Sequence, residues 1–203
     1  MKFMTIKGPS TACLVEKRSK FIASVAPVSE ETEARLFIDE IKSKNPDARH
    51  NVFAYLLSDG GQRYSDDGEP QGTGGLPVFG VIYRRGLVNV AAVVTRYFGG
   101  VLLGAPGLLR AYSGAATLAL DGAEIVVMRR GIYYEIIMEY SLISRVEKLA
   151  AELGGRIGDT VYNEKVVMSV MIPEETEAVF LNALTSLSNG AIKPVLKGET
   201  MWC

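Results

Sequence analysis

The chain is poor in the residues that usually build redox, metal and nucleophilic sites. Only two cysteines occur in its 203 residues, Cys13 and Cys203, too few for a disulfide framework and without metal-ligand spacing. His50 is the only histidine, which leaves a histidine-based metal centre or a cysteine–histidine nucleophile little to draw on. There is no Gly-x-Ser-x-Gly elbow, and neither dinucleotide nor Walker glycine spacing, which argues against a nucleophilic hydrolase. No apolar stretch approaches the length of a bilayer span; the run from Leu87 to Val94 is interrupted at Asn89. The opening residues carry Lys2, Lys7, Gly8 and Pro9 in place of an apolar secretion core. A cytoplasmic protein without membrane association is expected, with no metal and no cofactor.

What is present is an ordinary globular mixture, 48% hydrophobic and 22% charged, which excludes a disordered chain. The net charge of −1 hides an asymmetry: residues 1–130 hold 16 basic against 13 acidic side chains, and residues 131–203 hold 6 against 10. A change of sign supports a boundary near Arg129-Arg130-Gly131, and it places any anion-seeking surface in the first part. Two domains are expected, 1–130 and 131–203.

Periodicity reads most clearly in the second domain. Strands are expected at Ile132–Glu139, Arg156–Tyr162, Lys165–Ile172 and from Ile192 onward. Between them lie a helix capped by Ser141 and stopped at Gly154-Gly155, and another from Pro173 to Asn189-Gly190. The order β-α-β-β-α-β is the ferredoxin-like pattern. In the first domain, Thr11–Val15 and Phe21–Val25 suggest a hairpin, and Ser29 is placed to cap a helix reaching Lys44. Asn51–Leu57 follows as a strand, then a short helix ending at Arg84-Arg85-Gly86. Leu87–Thr95 reads as a strand buried on both faces. A helix over Pro106–Asp121, with Leu108, Leu109, Tyr112, Ala116 and Leu120 inward, precedes a short strand at Glu124–Met128. The fold class is α+β.

Three segments break the pattern of a compact core. Arg49-His50-Asn51 enters a strand, and a lone histidine there fits a strand-edge hydrogen bond or a catalytic role. Ser65, Asp66, Asp67 and Glu69, between Arg63-Tyr64 and Pro70, either hold a ligand such as Mg²⁺ or form a turn whose carboxylates bond their own backbone. Finally, Arg96 and Tyr97 lead through Gly99, Gly100, Gly104 and Gly107 into a helix with Arg110 and Tyr112. Glycines permit close backbone approach, free amides at a helix start attract anions, the arginines bind phosphate, and the tyrosines offer stacking faces. The same glycines also suit tight strand–helix packing, with Arg96 paired to the acidic loop.

Together, Arg49-His50-Asn51, Tyr64–Pro70 with Gly72-Thr73, and Arg96-Tyr97-Phe98-Gly99-Gly100 with Leu103-Gly104 and Gly107-Leu108 resemble the signature of the YigZ/IMPACT family in its bacterial two-domain form. Ser19–Ala23 is similar to the family's early strand. The resemblance implies a first domain like the second domain of ribosomal protein S-five, and a ferredoxin-like second domain similar to domain V of elongation factor G. It implies a non-enzymatic regulator binding RNA or the ribosome, the function expected here. Eukaryotic members regulate translation through a protein partner, but with a different accessory domain. The alternatives are a Mg²⁺-dependent enzyme acting on a phosphorylated or nucleotide ligand at the glycine loop, and a protein-binding adaptor.

Overall fold

Residues 2–203 are described by a computed structural model. The chain divides into two compact units, Phe3–Val127 and Met128–Cys203, with Lys2, the first residue of β1, grouped with the latter. The first contains β1 (Lys2–Ile6), β2 (Ser10–Glu16), β3 (Ser19–Pro27), α1 (Glu31–Lys44), β4 (His50–Leu56), β5 (Gln62–Ser65), α2 (Gly75–Arg84), β6 (Val90–Tyr97) and α3 (Gly104–Asp121). The next strand, β7 (Ile125–Met138), begins in the first unit and continues into the second.

The main sheet of the first unit has the order β2-β3-β6-β4-β5, with every neighbouring pair antiparallel. β6 lies at its centre and alternates between two cores. Val90, Ala92 and Val94 join Phe21, Val52, Ile82, Leu108 and Tyr112 on the face covered by α2 and α3. Ala91 and Val93 join Ala34, Ile38 and Tyr55 on the α1 face. Burial on both faces explains the uninterrupted apolar, β-branched run. The hairpin between β2 and β3 turns at Lys17 and Arg18, both at positive φ (46° and 68°), the twist that a two-residue hairpin loop requires.

Several local expectations need correction. Ser29 does not cap α1: Glu30 occupies the cap position without a side-chain bond, and Ser29 instead donates its N–H and hydroxyl to Glu33 at 2.6 and 2.7 Å. Leu109 is 46% exposed, not inward. The strands expected at Glu124–Met128 and Ile132–Glu139 are one strand, β7. Gly131 does not interrupt it, because glycine is needed there for another reason: a Cβ would lie 2.8 Å from the Trp202 indole nitrogen.

In the second unit β7 is followed by α4 (Ile143–Glu152), β8 (Arg156–Tyr162), β9 (Val166–Pro173), α5 (Glu177–Leu187) and β10 (Val195–Trp202). The antiparallel order is β10-β7-β9-β8. Its core collects Ile136, Val146, Met168, Val170, Phe180 and Leu184. A 3₁₀ turn at Tyr140–Leu142 precedes α4, so Ser141 makes no cap, and another at Glu174–Thr176 separates Pro173 from α5. Asn189 and Gly190, at φ 50° and 77°, end α5, and the Gly190 N–H returns to the Thr185 carbonyl at 2.8 Å.

Candidate functional site

Sheet register sets a row of three side chains at one end of the main sheet. Phe21 of β3, Arg96 of β6 and His50 of β4 are direct cross-strand neighbours, and directly opposed residues share a face. This face belongs to the α2–α3 core, so an arginine and a histidine stand where apolar side chains would continue it. Glu69, from the loop before α2, meets them there. Its Oε1 accepts a hydrogen bond from Arg96 Nη1 at 2.6 Å and another from the Tyr112 hydroxyl at 2.7 Å. The Arg96 and Glu69 side chains are only 8% and 3% exposed. The Arg96 guanidinium also lies 5.5 Å from the centre of the Phe21 ring and 5.6 Å from that of Phe98, a favourable cation–π arrangement.

The acidic loop is shaped by its own backbone bonds. Asp66 accepts from the amides of Gly72, Gly74 and Gly75 at 2.8, 2.9 and 2.8 Å, anchoring its carboxylate at the start of α2. Asp67 accepts the Asn51 amide at 2.7 Å and pairs with Lys42 at 3.1 Å. Ser65 Oγ accepts the Asp67 amide at 3.2 Å. Asp67 and Gly68, at φ 45° and 86°, then turn Glu69 inward. The three carboxylates expected to gather around Mg²⁺ therefore serve three different partners. Among the described residues no group of three or more His, Cys, Asp or Glu side chains is disposed around a common ion.

His50 Nδ1 is 2.8 Å from the Asp67 carbonyl. A carbonyl only accepts, so Nδ1 carries the proton and Nε2 is the remaining ring nitrogen. Nε2 stands 4.0 Å from Glu69 Oε1, beyond hydrogen-bond range. Burial, reinforced by Glu69, pushes the Tyr112 phenol far above its usual range, so Tyr112 stays a donor. For Asp66, burial acts to raise the pKa, but the amides of Gly72, Gly75 and Gly74 outweigh it and hold the carboxyl below its ordinary value. A depressed folded-state pKa contributes stability above the unfolded-state value that is lost as pH falls through the folded one. Asp66→Asn is therefore expected to cost about 2 kcal/mol at neutral pH. The deficit should begin to shrink below about pH 4, where the unfolded-state carboxyl protonates, and be lost once pH passes the lower folded-state value; urea unfolding at neutral and acid pH checks this.

One donor in the cluster is unmatched. Arg96 Nε is buried without a hydrogen-bond partner, an arrangement that ordinarily costs about 1–3 kcal/mol. Arg96 lines a pocket of about 200 Å³ together with Arg49, His50, Phe98 and Leu102. Phe98 and Leu102 are 50% and 82% exposed. Phe98 also lines a second cleft, of about 400 Å³, with Arg18, Lys20, Ile22 and Tyr97. One aromatic side chain thus joins two basic recesses.

The other expected site residues lie apart from the Arg96 pocket. Arg63 lines a recess on the α1 face with Arg35, Lys42 and Tyr55. Arg110 and Gly107 border a separate cleft with Lys17 and Leu103. Tyr112 is fully buried, its ring edge-on to Phe21 at 5.0 Å, so it offers no stacking face. Tyr97 donates its hydroxyl to Asn45 Oδ1 at 2.9 Å. Gly99 and Gly107 serve close packing: a Cβ would fall 2.1 Å from the Arg18 carbonyl carbon at Gly99, and 2.9 Å from Leu103 Cβ at Gly107. Gly100 and Gly104 supply positive φ, 83° and 69°, where the chain bends into α3. Phe98, quoted above only within the family motif, and Leu102 were not expected as site residues; large apolar residues among glycines are the signal that marks them.

These observations define an α+β protein of two units, with a buried arginine–glutamate–tyrosine cluster beneath a basic, aromatic-lipped pocket. Residues 17–120 match the Impact N-terminal domain, and residues 136–191 match a domain of unknown function, DUF1949. The chain is 34% identical over 190 residues to the IMPACT family member YvyE of Bacillus subtilis, covering 93% of this chain and 88% of that one. It is 32% identical over 192 residues to the IMPACT family member YigZ of Escherichia coli, covering 92% and 93%. A crystal structure of a hypothetical protein, 30% identical, superposes with a TM-score of 0.64 over 96% of both chains. The chain belongs to the IMPACT family.

Proposed function

We propose that the protein is a non-enzymatic regulator that binds RNA, free or within the ribosome, through the Phe98 surface of its first unit. The observation that carries this reading is the sharing of Phe98 by two recesses. A base stacked on that ring would leave flanking phosphates within reach of Arg49 on one side and of Arg18 and Lys20 on the other. Arg96, neutralised by Glu69, contributes shape instead of net charge. The resemblance to the second domain of ribosomal protein S-five, and of the second unit's strand order to the ferredoxin-like domain V of elongation factor G, supports work in the cytoplasm at the translation machinery. The Mg²⁺-dependent enzyme is disfavoured because Asp66, Asp67 and Glu69 are each held by other groups.

The reading is tested by fluorescence anisotropy with single-stranded RNA. Arg49→Ala and Lys20→Ala are each expected to weaken binding by roughly fivefold at low salt, and Phe98→Ala by at least as much. Arg63→Ala, on the α1 face, leaves affinity unchanged. Equal loss in Arg63→Ala, or none in the other three, would place the interface elsewhere.

A further inference from the structure

β5 ends the main sheet on the side away from the β2–β3 hairpin and pairs with β4 alone. Its outer backbone N–H and C=O groups therefore point out of the sheet, as at any uncovered edge. Gln62, Arg63 and Tyr64 are exposed and Ser65 is half-buried. Register sends their side chains to two unlike surfaces. Arg63, opposite Tyr55, faces α1, whereas Tyr64, opposite Ala54, faces α2.

On the α2 side lies an apolar stripe that the fold leaves open. Val78, Val81 and Ile82 point into the core, yet Leu76 and Tyr83 of the same helix are 49% and 67% exposed. A helix that is apolar all round ordinarily has every side covered. Phe79 joins the stripe to the edge strand, its ring centre 5.7 Å from that of Tyr64 and 6.0 Å from that of Tyr83. Contiguous exposed apolar surface of this kind marks an interaction site. On the α1 side, Arg63 borders a recess of about 230 Å³ with Arg35, Ile38, Asp39, Lys42 and Phe53. Arg35 and Lys42 are taken up by Glu31 and Asp67, and Asp39 is the one carboxylate in the lining. Among the described residues, neither Arg63 nor Arg84, at the end of α2, makes an ion pair.

This edge fits an added strand better than a nucleic acid. A peptide backbone carries the donors and acceptors that match the outer groups of β5, and its side chains alternate between faces with the same period of two. Phosphates would find only two free arginines, one on each side of the sheet. We infer that the β5 edge docks an extended segment of a protein partner as a sixth strand of the main sheet. The segment turns carboxylates toward Arg63 on the α1 face and apolar side chains toward Tyr64, Phe79 and Tyr83 on the α2 face. Its sequence therefore alternates apolar and acidic residues. None of these residues lines the Phe98 recesses, so the inference stands apart from the RNA-binding reading.

The test uses fluorescein-labelled peptides about nine residues long, with a Val-Glu-Val-Asp-Val centre, and fluorescence anisotropy with the intact protein. A second peptide has lysine at both acidic positions. Two more are N-methylated, one at the valines and one at the acids. The acidic peptide should bind about tenfold more tightly than the lysine peptide. At least one methylated peptide should lose binding, because alternate N–H groups of a strand point to the same edge. Tyr83→Ser and Arg63→Glu, both surface changes, should each weaken the acidic peptide by about fivefold or more, and Arg63→Glu should also reverse the preference between acid and lysine. Equal binding of the acidic and lysine peptides, retention of both methylated ones, or no binding at about 1 mM overturns the inference. Loss of RNA affinity in Tyr83→Ser would assign the edge to nucleic acid instead. A dimer of the unaltered protein in sedimentation that Tyr83→Ser dissolves would assign it to a second copy of this chain, and either result overturns the inference.

Discussion

Glu69→Ala is expected to destabilise the first unit by about 3–5 kcal/mol, the usual consequence of stranding one member of a buried ion pair. Arg96 would keep its charge in a site where its side chain is 8% exposed, and the Tyr112 hydroxyl would lose its acceptor. Water could not easily replace the carboxylate, because Tyr112 is fully buried and Phe21 closes the other side. Glu69→Gln, which retains an acceptor oxygen without the charge, should cost less. Replacing both Glu69 and Arg96 by methionine should recover much of the loss, since no unpaired charge remains. The sole tryptophan, Trp202, belongs to the second unit. Urea unfolding of the first unit is therefore followed by tyrosine fluorescence or by circular dichroism. A loss below about 1 kcal/mol for Glu69→Ala would show that Arg96 does not depend on this carboxylate.

Gly99→Ala is the second large effect, expected near 3 kcal/mol. Its Cβ would come within 2.1 Å of the Arg18 carbonyl carbon and 2.2 Å of its oxygen. Neither backbone can yield cheaply. Arg18 sits in the left-handed region at the hairpin turn, and Gly99 donates its N–H to Ser19 Oγ at 3.1 Å. Gly100 provides the contrast. Nothing lies within 4 Å of its missing side chain, and only its φ of 83° opposes substitution, so Gly100→Ala should cost about 1–2 kcal/mol. Reversal of that order would mean that the approach of this loop to the β2–β3 turn is not rigid.

Patterning reveals elements whose periodicity is set by burial and misses those that are not. β6 is legible because both its faces are covered, and α1 and α3 because their inward residues recur at helical spacing. β5, with the sequence Gln-Arg-Tyr-Ser, has no apolar alternation to betray it. β7 is split in the sequence by Gly131, whose reason for being glycine is Trp202, 71 positions away and invisible locally. Helix starts fail similarly: a serine near the right place predicts a cap, whereas Glu33 reaching back to Ser29 and a 3₁₀ turn before α4 do the work in the chain itself.

The site was legible as a set of suspicious segments and not as an arrangement. Arg49, His50, Glu69 and Arg96 do converge, because register places His50, Arg96 and Phe21 in one row. Register is a long-range property that no local window contains. Asp66 and Asp67 looked like ligands because clustered carboxylates are costly without partners; their partners are backbone amides and Lys42, which composition does not show. Tyr112 lay under two conflicting signals, helical inward spacing and an aromatic near glycines, and the spacing is the one that holds. Phe98 escaped because exposed aromatics carry no periodic mark, although it links both basic recesses.

The most direct test of the account is the salt dependence of single-stranded RNA binding by the unaltered protein. With Arg18, Lys20 and Arg49 engaging phosphates, log K against log salt should fall with a slope near about −2, and Phe98→Ala should weaken binding while leaving that slope nearly unchanged. Absence of binding even at about 50 mM salt, or an affinity indifferent to salt, would contradict the assignment of this surface to RNA.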